Sequence, residues 1–331
     1  MTIRPTRVTV IIATYNRAAL LDECLDHLSR QRFSPGDEVI VVDNGSTDHT
    51  AAVVARQQRG YAAPLRLVHE SAPGKSVAIA RALAVATGDV LAFTDDDVNV
   101  DEGWLDAVRD AMTDPAVALV GGPVKPRWQS TVPGWIRRGR DRHPRLGSPI
   151  ALLDYGDRAV ELGPRTLLGA NLAVRRDVFI KVGGFPATLG KLRGTLLSGE
   201  DHELCRRVQD AGFCALYVPQ VAVEHWVPAD RARVSYFLRW FYWSGITHAI
   251  MDGQRLLGTS GGRTLGGVPL YLVARAAIAS TRALAALAAG NRTSALNLAI
   301  DVAFTLGYAA ERWGLAHHAA DASTRVTGKA A

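Results

Sequence analysis

Cysteine is scarce in this 331-residue sequence, which contains only Cys24, Cys205 and Cys214. The number is odd, and the three residues lack the paired spacing that zinc-binding cysteines show. Neither a disulfide framework nor a thiolate metal centre is therefore expected to organise the chain. Free thiols in a reducing compartment are the interpretation that remains.

A leader sequence and a long uncharged apolar run are also lacking. Strand-like sequence begins almost at the N-terminus, without a charged and then apolar leader that ends in a small-residue cleavage site. No uncharged apolar run approaches the length of about 18 residues that a membrane-spanning helix needs. We therefore predict that the active domain is cytoplasmic.

Acidic residues are scarce in one segment of a chain whose net charge is +6. Between Lys125 and Arg145 the only acid is Asp141, against seven basic residues. Such a segment attracts anions, whether phosphates, an acidic glycan or anionic lipid. No sequence fingerprint of an RNA-binding or DNA-binding fold accompanies it, so nucleic acid is not an expected partner.

The first feature that is present is a repeated pattern of strand and helix. Residues 7–14 and 38–43 form nearly continuous apolar runs, which are typical of parallel strands covered on both faces. Each run is followed by turn residues and then by a helical pattern, over 18–28 and 50–58. Two such units predict an α/β fold with a doubly wound, mostly parallel sheet, whose ligands lie at the carboxyl ends of strands.

A further strand-like run, residues 88–94, leads into three consecutive carboxylates, Asp95, Asp96 and Asp97. Side chains alternate along a strand, so we expect Asp95 and Asp97 to point the same way and Asp96 to point opposite. Closely spaced carboxylates suit a hard divalent ion such as Mg²⁺ or Mn²⁺. A solvated acidic turn before the helix that begins near Trp104 is the alternative, and the triplet alone leaves both open.

Other candidate groups have an ordinary structural explanation when each is viewed alone. Glu200 and Asp201 lie at a predicted helix start, where carboxylates are common caps. His225 lies at a strand end, where most histidines are structural. Lys75 precedes a helix and either contacts a phosphate or is solvated, and His69 in place of a glycine excludes a phosphate-binding loop of the Walker type.

The character of the sequence changes after residue 228, and we predict two domains, 1–228 and 229–331. An aromatic cluster at 236–243 precedes a glycine-rich linker at 261–267 and two Ala/Leu-rich helical stretches at 268–289 and 293–314. Charged residues interrupt both stretches, so they are expected to lie on a surface without spanning a membrane. They either pack as a hairpin on the catalytic domain or rest on a membrane face, and the aromatic and basic residues favour peripheral membrane contact.

Several ordered motifs between residues 7 and 226 together resemble the family 2 glycosyltransferases, inverting enzymes of the GT-A fold that use nucleotide sugars. The resemblance is carried by segments 11–17, 41–48, 74–81, 94–97 and 200–201. It implies that nucleotide contacts come from Thr14, Tyr15, Asn16, Asp43, Lys75, Asp95 and Asp96. It also implies that the metal ligands are Asp97, Asp95 and, as in some members, His225. Asp201, paired with Glu200, corresponds to the general base.

The resulting hypothesis is a metal-dependent inverting glycosyltransferase with Mn²⁺ or Mg²⁺ as cofactor. Its donor would be a nucleotide sugar, taken as a UDP-sugar, and its acceptor a growing glycan or a lipid-linked hydroxyl at the inner face of the cell membrane. One alternative is a sugar-phosphate nucleotidyltransferase, which usually needs a glycine-rich loop that residues 13–17 lack. The other is a non-catalytic nucleotide-sugar-binding protein.

Overall fold

The structure is a computed structural model that describes residues 6–137, 144–186, 188–192, 194–255 and 263–316. Parts of the predicted basic segment at 125–145 and of the predicted linker at 261–267 therefore lie outside the described residues.

Three described residues of the basic segment have acidic partners. Lys125 lies 3.7 Å from Asp101, and Arg127 lies 2.9 Å from Glu23. Arg145 lies 2.7 Å from Asp301.

The first part of the chain alternates strands and helices, as the sequence predicts. The elements are β1 (Val8–Thr14), α1 (Ala18–Ser29), β2 (Glu38–Asp43), α2 (Thr50–Gln57), β3 (Leu65–His69), α3 (Lys75–Leu83) and β4 (Val90–Asp95). β2 is buried along its whole length and β1 at all but one position, because the sheet is covered on both faces.

The middle of the chain contributes shorter elements. They are β5 (Val98–Val100), α4 (Trp104–Ala111), β6 (Val117–Gly121), β7 (Val124–Trp128), β8 (Val160–Glu161), β9 (Asn171–Arg175), α5 (Arg176–Lys181), α6 (Glu200–Asp210), β10 (Cys214–Tyr217) and β11 (Val223–Val227). Short 3₁₀ helices occur at Pro144–Ile150 and Ala229–Ala232. The three cysteines are free, as predicted.

The central sheet has eight strands in the order β3-β2-β1-β4-β9-β6-β10-β8. β3, β2, β1 and β4 are parallel neighbours, and so are β6 and β10. β9 runs antiparallel to β4 and β6, and β8 runs antiparallel to β10 at one edge. The prediction of an α/β fold with a mostly parallel sheet is thus confirmed, since only β9 and β8 reverse direction.

The register of β1 places the ends of three strands side by side. Thr14 pairs with Asp43 on β2, and Ala13 pairs with Asp95 on β4. A smaller sheet in the order β5-β11-β7 begins just after β4, and it pairs His225 with Val98. Backbone pairing alone therefore brings His225 next to the residue that follows Asp97.

The chain divides into two compact units that do not follow a single boundary in sequence. The first consists of Met1–Arg127, Ala151–Ala187 and Glu200–Trp226, and the second of Trp128–Ile150, Thr188–Gly199 and Val227–Ala331. The second unit thus includes two segments that interrupt the first. The predicted division into 1–228 and 229–331 places both segments in the first domain, and its boundary lies close to the last change of unit, between Trp226 and Val227.

The second unit contains a long helix, a short hairpin and two further helices. These are α7 (Val234–Arg255), β12 (Thr264–Leu265), β13 (Val268–Pro269), α8 (Leu270–Ala288) and α9 (Arg292–Arg312). α8 and α9 match the two predicted helical stretches.

The aromatic cluster at 236–243 lies on α7 and packs within the second unit. The Phe237 ring is fully buried and meets Trp135 edge to face, with ring centroids 4.9 Å apart. Phe241 is also buried. The cluster was the sequence-based reason for expecting membrane contact. Its two phenylalanines are core residues that do not face outward, whereas its tyrosines and tryptophans are partly exposed.

One described helix is long and apolar enough to cross a membrane, judged by length and composition only. It is α8, of which 11% of the apolar window is buried within the protein. The sequence-based argument from charged residues predicted that this helix does not span a membrane, but by length and composition alone α8 meets the criteria for a spanning helix despite its two arginines.

α7 and α9 cross at two glycines whose backbones lie in direct contact. A methyl group at Gly307 would lie 1.8 Å from the carbonyl oxygen of Tyr242, and one at Gly245 would lie 2.0 Å from that of Phe304. Both distances are far shorter than a van der Waals contact, so only hydrogen fits at these positions.

We expect Gly307→Ala to destabilise the protein by about 1–3 kcal/mol, because the new methyl group must push the two helix backbones apart. Alanine favours an isolated helix by about 1 kcal/mol over glycine, so a net loss would show that packing dominates. Urea unfolding of Gly307→Ala and of Gly60→Ala, whose added methyl group meets nothing within 4 Å, makes the comparison. Equal stability of the two variants would contradict the close crossing.

Candidate active site

Three carboxylates follow one another at the end of β4. The strand ends at Asp95, and Asp96 and Asp97 lie in the turn that leads to β5. Strand alternation therefore does not extend through the triplet, and the predicted orientations rested on a premise that is wrong. Asp96 and Asp97 are nevertheless 4% and 2% exposed, so the alternative of a solvated acidic turn is excluded.

Asp96 is held by two groups from the end of β1. Thr14 donates to it through Oγ1 at 2.8 Å, and Arg17 donates through Nη1 at 3.0 Å. Burial and the neighbouring charge of Asp97 nevertheless raise the pKa of Asp96 to about 6. Thr14 and Asp96 are thus joined by a buried hydrogen bond, which attaches the acidic turn to the end of β1.

Arg17 is the cation that joins the last two carboxylates. The same Nη1 lies 2.8 Å from Asp97, and the charges of Asp96 and Asp97 outweigh burial and raise the pKa of Arg17. Sequence reasoning assigned no role to Arg17, which the resemblance includes only as the last residue of a motif. The signal that could have found it is its position directly after β1, beside the end of β4.

Asp95, Asp97 and His225 form a cluster that could hold a metal ion. One ligand atom from each lies within 4.8 Å of the others, and His225 Nε2 is 3.4 Å from Asp97 Oδ1. His225 is 2% exposed, so the imidazole is fixed in place. Two carboxylates and one imidazole fit a divalent cation such as Mn²⁺, which accepts both oxygen and nitrogen ligands.

Lys75 pairs with Asp95 from the first residue of α3. Burial lowers the pKa of this lysine, but the charges of Asp95, Glu200 and Asp201 outweigh it and raise the pKa. Lys75 therefore stays charged, and the solvated alternative is excluded because its side chain is only 16% exposed.

Asn44 fixes the loop that carries Lys75. Its amide donates to the carbonyl oxygens of Glu70 and Ala72 at 2.9 and 2.7 Å, and its Oδ1 accepts from the Gly74 N–H at 2.9 Å. The sequence indicated only turn chemistry at this asparagine. Its actual partners lie about 30 residues further along and could not be read from spacing.

Asp201 lies at the start of α6 with both carboxylate oxygens engaged. Oδ2 accepts from the Gly169 N–H at 2.9 Å, and Oδ1 accepts from the His202 N–H at 2.8 Å and contacts His202 Nδ1 at 3.0 Å. Burial acts to raise the pKa of Asp201, but the His202 charge and these hydrogen bonds lower it to about 2. The carboxylate is thus ionised at neutral pH.

Lys75 lies near both Asp201 and the acidic turn. A methyl group at Gly169 would lie 3.5 Å from Asp201 Cβ and 3.8 Å from Lys75 Nζ, and the same Lys75 pairs with Asp95. The structure therefore places the predicted base in the neighbourhood of the predicted metal ligand Asp95, with Lys75 close to both. Glu200 is buried, and its charge also acts on Lys75.

The remaining predicted nucleotide contacts lie at the ends of β1 and β2. Asp43 Oδ1 accepts from the Ser46 N–H at 2.8 Å, and its Oδ2 lies 3.4 Å from His69 Nδ1. Asn16 has a left-handed backbone with φ of 52°, and its Oδ1 accepts from the Thr47 N–H at 2.7 Å. Tyr15 is 38% exposed. These groups form a rim of connected turns beside the acidic cluster, and sequence reasoning missed His69 as a partner of Asp43.

Comparison with known proteins identifies relatives of the chain. The family described as "Glycosyl transferase family 2" matches residues 9–183, which is more than half of the sequence. A glucosyl-dolichyl phosphate glucuronosyltransferase from Haloferax volcanii is 25% identical over 256 residues, covering 74% of this chain and 77% of that protein. Succinoglycan biosynthesis protein ExoM from Rhizobium meliloti is 30% identical, covering 66% of each chain.

A solved structure is similar over nearly the whole chain. It is the mannosyltransferase PcManGT from Pyrobaculum calidifontis in complex with GDP-Man and Mn²⁺, with a TM-score of 0.61 and 25% sequence identity. The match covers 95% of this chain and 88% of that one.

The raised pKa of Asp96 predicts a pH-dependent contribution to stability. With a folded-state pKa of about 6 against an ordinary value of 3.8, the folded protein binds the proton more tightly, so this contribution falls as pH rises from about 4 to 6. Asp96→Asn removes the titration. Measured with a chelator present, wild-type stability minus variant stability should fall by about 1–3 kcal/mol across this window. Parallel pH profiles of the two proteins would contradict the assignment.

Proposed function

Since this chain belongs to glycosyl transferase family 2 and is a glycosyltransferase with the GT-A fold, we propose that it is a metal-dependent inverting enzyme. Its donor is a nucleoside-diphosphate sugar, and its acceptor is a hydroxyl group. The observation that carries the proposal is the closeness of Lys75, which pairs with Asp95, to Asp201. Membership of the family sets aside the nucleotidyltransferase and non-catalytic alternatives.

The donor side of the site consists of Asp95, Asp97 and His225, which would hold the cation. When bound, a divalent ion neutralises the charge that develops on the leaving diphosphate. Lys75 adds a fixed positive charge next to Asp95, and Arg17 keeps Asp97 and Asp96 in place from the opposite end of the turn. Asp43, Asn16 and Tyr15 supply the rim where the nucleoside would bind.

Asp201 acts as the general base in this proposal. It accepts the proton of the acceptor hydroxyl as the new bond from that oxygen to the anomeric carbon forms. The bond from the anomeric carbon to the phosphate oxygen breaks at the same time, and its electron pair leaves with the nucleoside diphosphate. A single displacement with one base and no covalent intermediate inverts the configuration of the anomeric carbon.

The choice of donor and acceptor rests on different kinds of support. A UDP-sugar follows from the motif resemblance, whereas the similar mannosyltransferase was solved with GDP-Man, so a donor screen must contain both bases. A glycan or lipid-linked acceptor agrees with the functions of the relatives, and the cytoplasm at the inner membrane face is the location that we propose for the transfer. One acts on a dolichyl phosphate glucoside, and the other belongs to succinoglycan biosynthesis.

Asp97→Ala should abolish Mn²⁺-dependent binding of UDP or GDP, because it removes one ligand of the cation. Calorimetric titration of the nucleotide with and without Mn²⁺ measures the effect. Asp101→Ala is the control, since Asp101 is a nearby carboxylate outside the cluster whose only ion pair is a 3.7 Å contact with Lys125 among the described residues. Metal-dependent nucleotide binding that is unchanged in Asp97→Ala would refute this metal site.

Asp201→Asn should keep donor binding and reduce sugar transfer by about 10²- to 10⁴-fold, because the amide cannot accept the acceptor proton. Single-turnover transfer from a labelled donor, combined with a donor titration, separates the two effects. Asp210→Asn changes a carboxylate at the far end of the same helix and should leave both quantities unaltered. Full transfer activity in Asp201→Asn would move the base to another residue.

A further inference from the structure

Exposed hydrophobic side chains are concentrated in one part of the second unit. Of the twelve large hydrophobic residues that are exposed among the described residues, nine lie between positions 265 and 315. Five of them are on α8, namely Leu270, Tyr271, Ile278, Leu284 and Leu287, and they are 38–68% exposed. Single exposed hydrophobic residues are ordinary, but this concentration on one helix calls for a partner.

One side of α8 is already occupied by other parts of the second unit. Leu272 and Ala279 are buried, and Leu272 belongs to a core cluster with Ala249, Val268 and Tyr308. The Leu272 carbonyl oxygen accepts a long hydrogen bond of 3.5 Å from Thr305 on α9. α8 is therefore anchored along one stripe, and the rest of its circumference faces outward.

The outward side of α8 is apolar except for hydroxyls and arginines. Its exposed apolar positions are Leu270, Tyr271, Ala274, Ala277, Ile278, Leu284, Ala285, Leu287 and Ala288. Arg275 and Arg282 are seven residues apart and so lie on the same side of the helix. Arg275 contacts Asp301 at 3.5 Å and stacks over Phe304, which places it where the apolar surface borders α9.

The charged residues of α8 and of the sequence on either side of it, up to Asp301, are all positive. From Arg263 to Ile300 the sequence contains four arginines and no aspartate or glutamate. The acid that follows, Asp301, is shared by Arg145 and Arg275. An apolar helix face bordered by unbalanced arginines is complementary to a surface that offers both hydrocarbon and negative charge.

We infer that α8 is a membrane-docking helix that lies in the plane of an anionic lipid surface. Its leucines, Ile278 and Tyr271 enter the boundary between headgroups and acyl chains, and Arg282 reaches the lipid phosphates. The inference deepens the proposed location at a membrane face, and it rests on that part of the proposed function alone. It replaces the aromatic cluster of α7, whose phenylalanines are buried, as the element that contacts lipid.

Two other occupants fit this surface less well. A helix that spans the bilayer would carry Arg275 and Arg282 into the hydrocarbon, at a cost of about 2.5–3.5 kcal/mol for an arginine near the centre. A second copy of the chain docked helix to helix would place like charges side by side, with no acid on α8 to balance them. Anionic lipid satisfies the apolar face and the arginines together.

The test is flotation of the full-length protein with phosphatidylcholine vesicles that contain or lack about one third phosphatidylglycerol. The wild-type chain should bind the anionic vesicles at least tenfold more tightly than the neutral ones. The double variant Ile278→Glu, Leu284→Glu should lose at least tenfold in binding to anionic vesicles. Arg282→Glu should lose several-fold and show a weaker dependence on salt.

Ile180→Glu is the matched control, because Ile180 is 65% exposed on α5 in the first unit, and its change should leave vesicle binding unaltered. Metal-dependent donor hydrolysis, measured without lipid, should be equal in all four proteins. This readout separates failure of the docking surface from failure of the proposed enzyme.

Three results would overturn the inference. The first is wild-type protein that does not float with anionic vesicles, or a double variant that floats as well as the wild type. The second is protein that stays in the membrane after alkaline carbonate extraction, which would indicate a spanning helix. The third is a lipid-free dimer that the double variant dissociates, which would assign the surface to a second copy of the chain.

Discussion

The need to bury three adjacent carboxylates is the constraint on which the site depends. Asp95, Asp96 and Asp97 repel one another in a largely buried region, and a cationic side chain at each end of the triplet compensates their charge. Arg17 binds Asp96 and Asp97, and Lys75 binds Asp95. Even so, burial and the charge of Asp97 raise the pKa of Asp96 to about 6.

The order of the strands in the central sheet brings these two cations to the acidic turn. β1 lies between β2 and β4, so the residues that follow β1 reach the acidic turn, and Arg17 does so directly. The turn after β2 carries Asn44, which holds the loop before Lys75. β11 returns beside β5 and delivers His225 to Asp97. Arg17, Lys75 and His225 thus come from three separate segments of the chain that meet at the carboxyl end of β4, the edge where an α/β sheet usually forms its site.

The second unit is held together by helix packing and contains no predicted site residue. α7 and α9 meet backbone to backbone at Gly245 and Gly307, which fixes their crossing, whereas α8 is attached along one stripe only. The tightly packed pair α7 and α9 forms the structural part of the unit. The exposed apolar helix α8 is the part that we propose docks on a membrane. The buried aromatic residues of α7 belong to the first part, although the sequence alone made them resemble the second.

The sequence by itself determined the α/β class, the alternating strands and helices of the first part of the chain, the acidic triplet and the two C-terminal helices, because these depend on local periodicity and on neighbouring residues. It could not reveal Arg17 as the bridge between Asp96 and Asp97, Asn44 as the anchor of the Lys75 loop, or the inclusion of residues 128–150 and 188–199 in the second unit. Those features join residues that are distant in sequence, and strand order and register bring them together. Only the tertiary structure decided which aromatic residues of α7 are buried, since the same residue types occur both in cores and on surfaces.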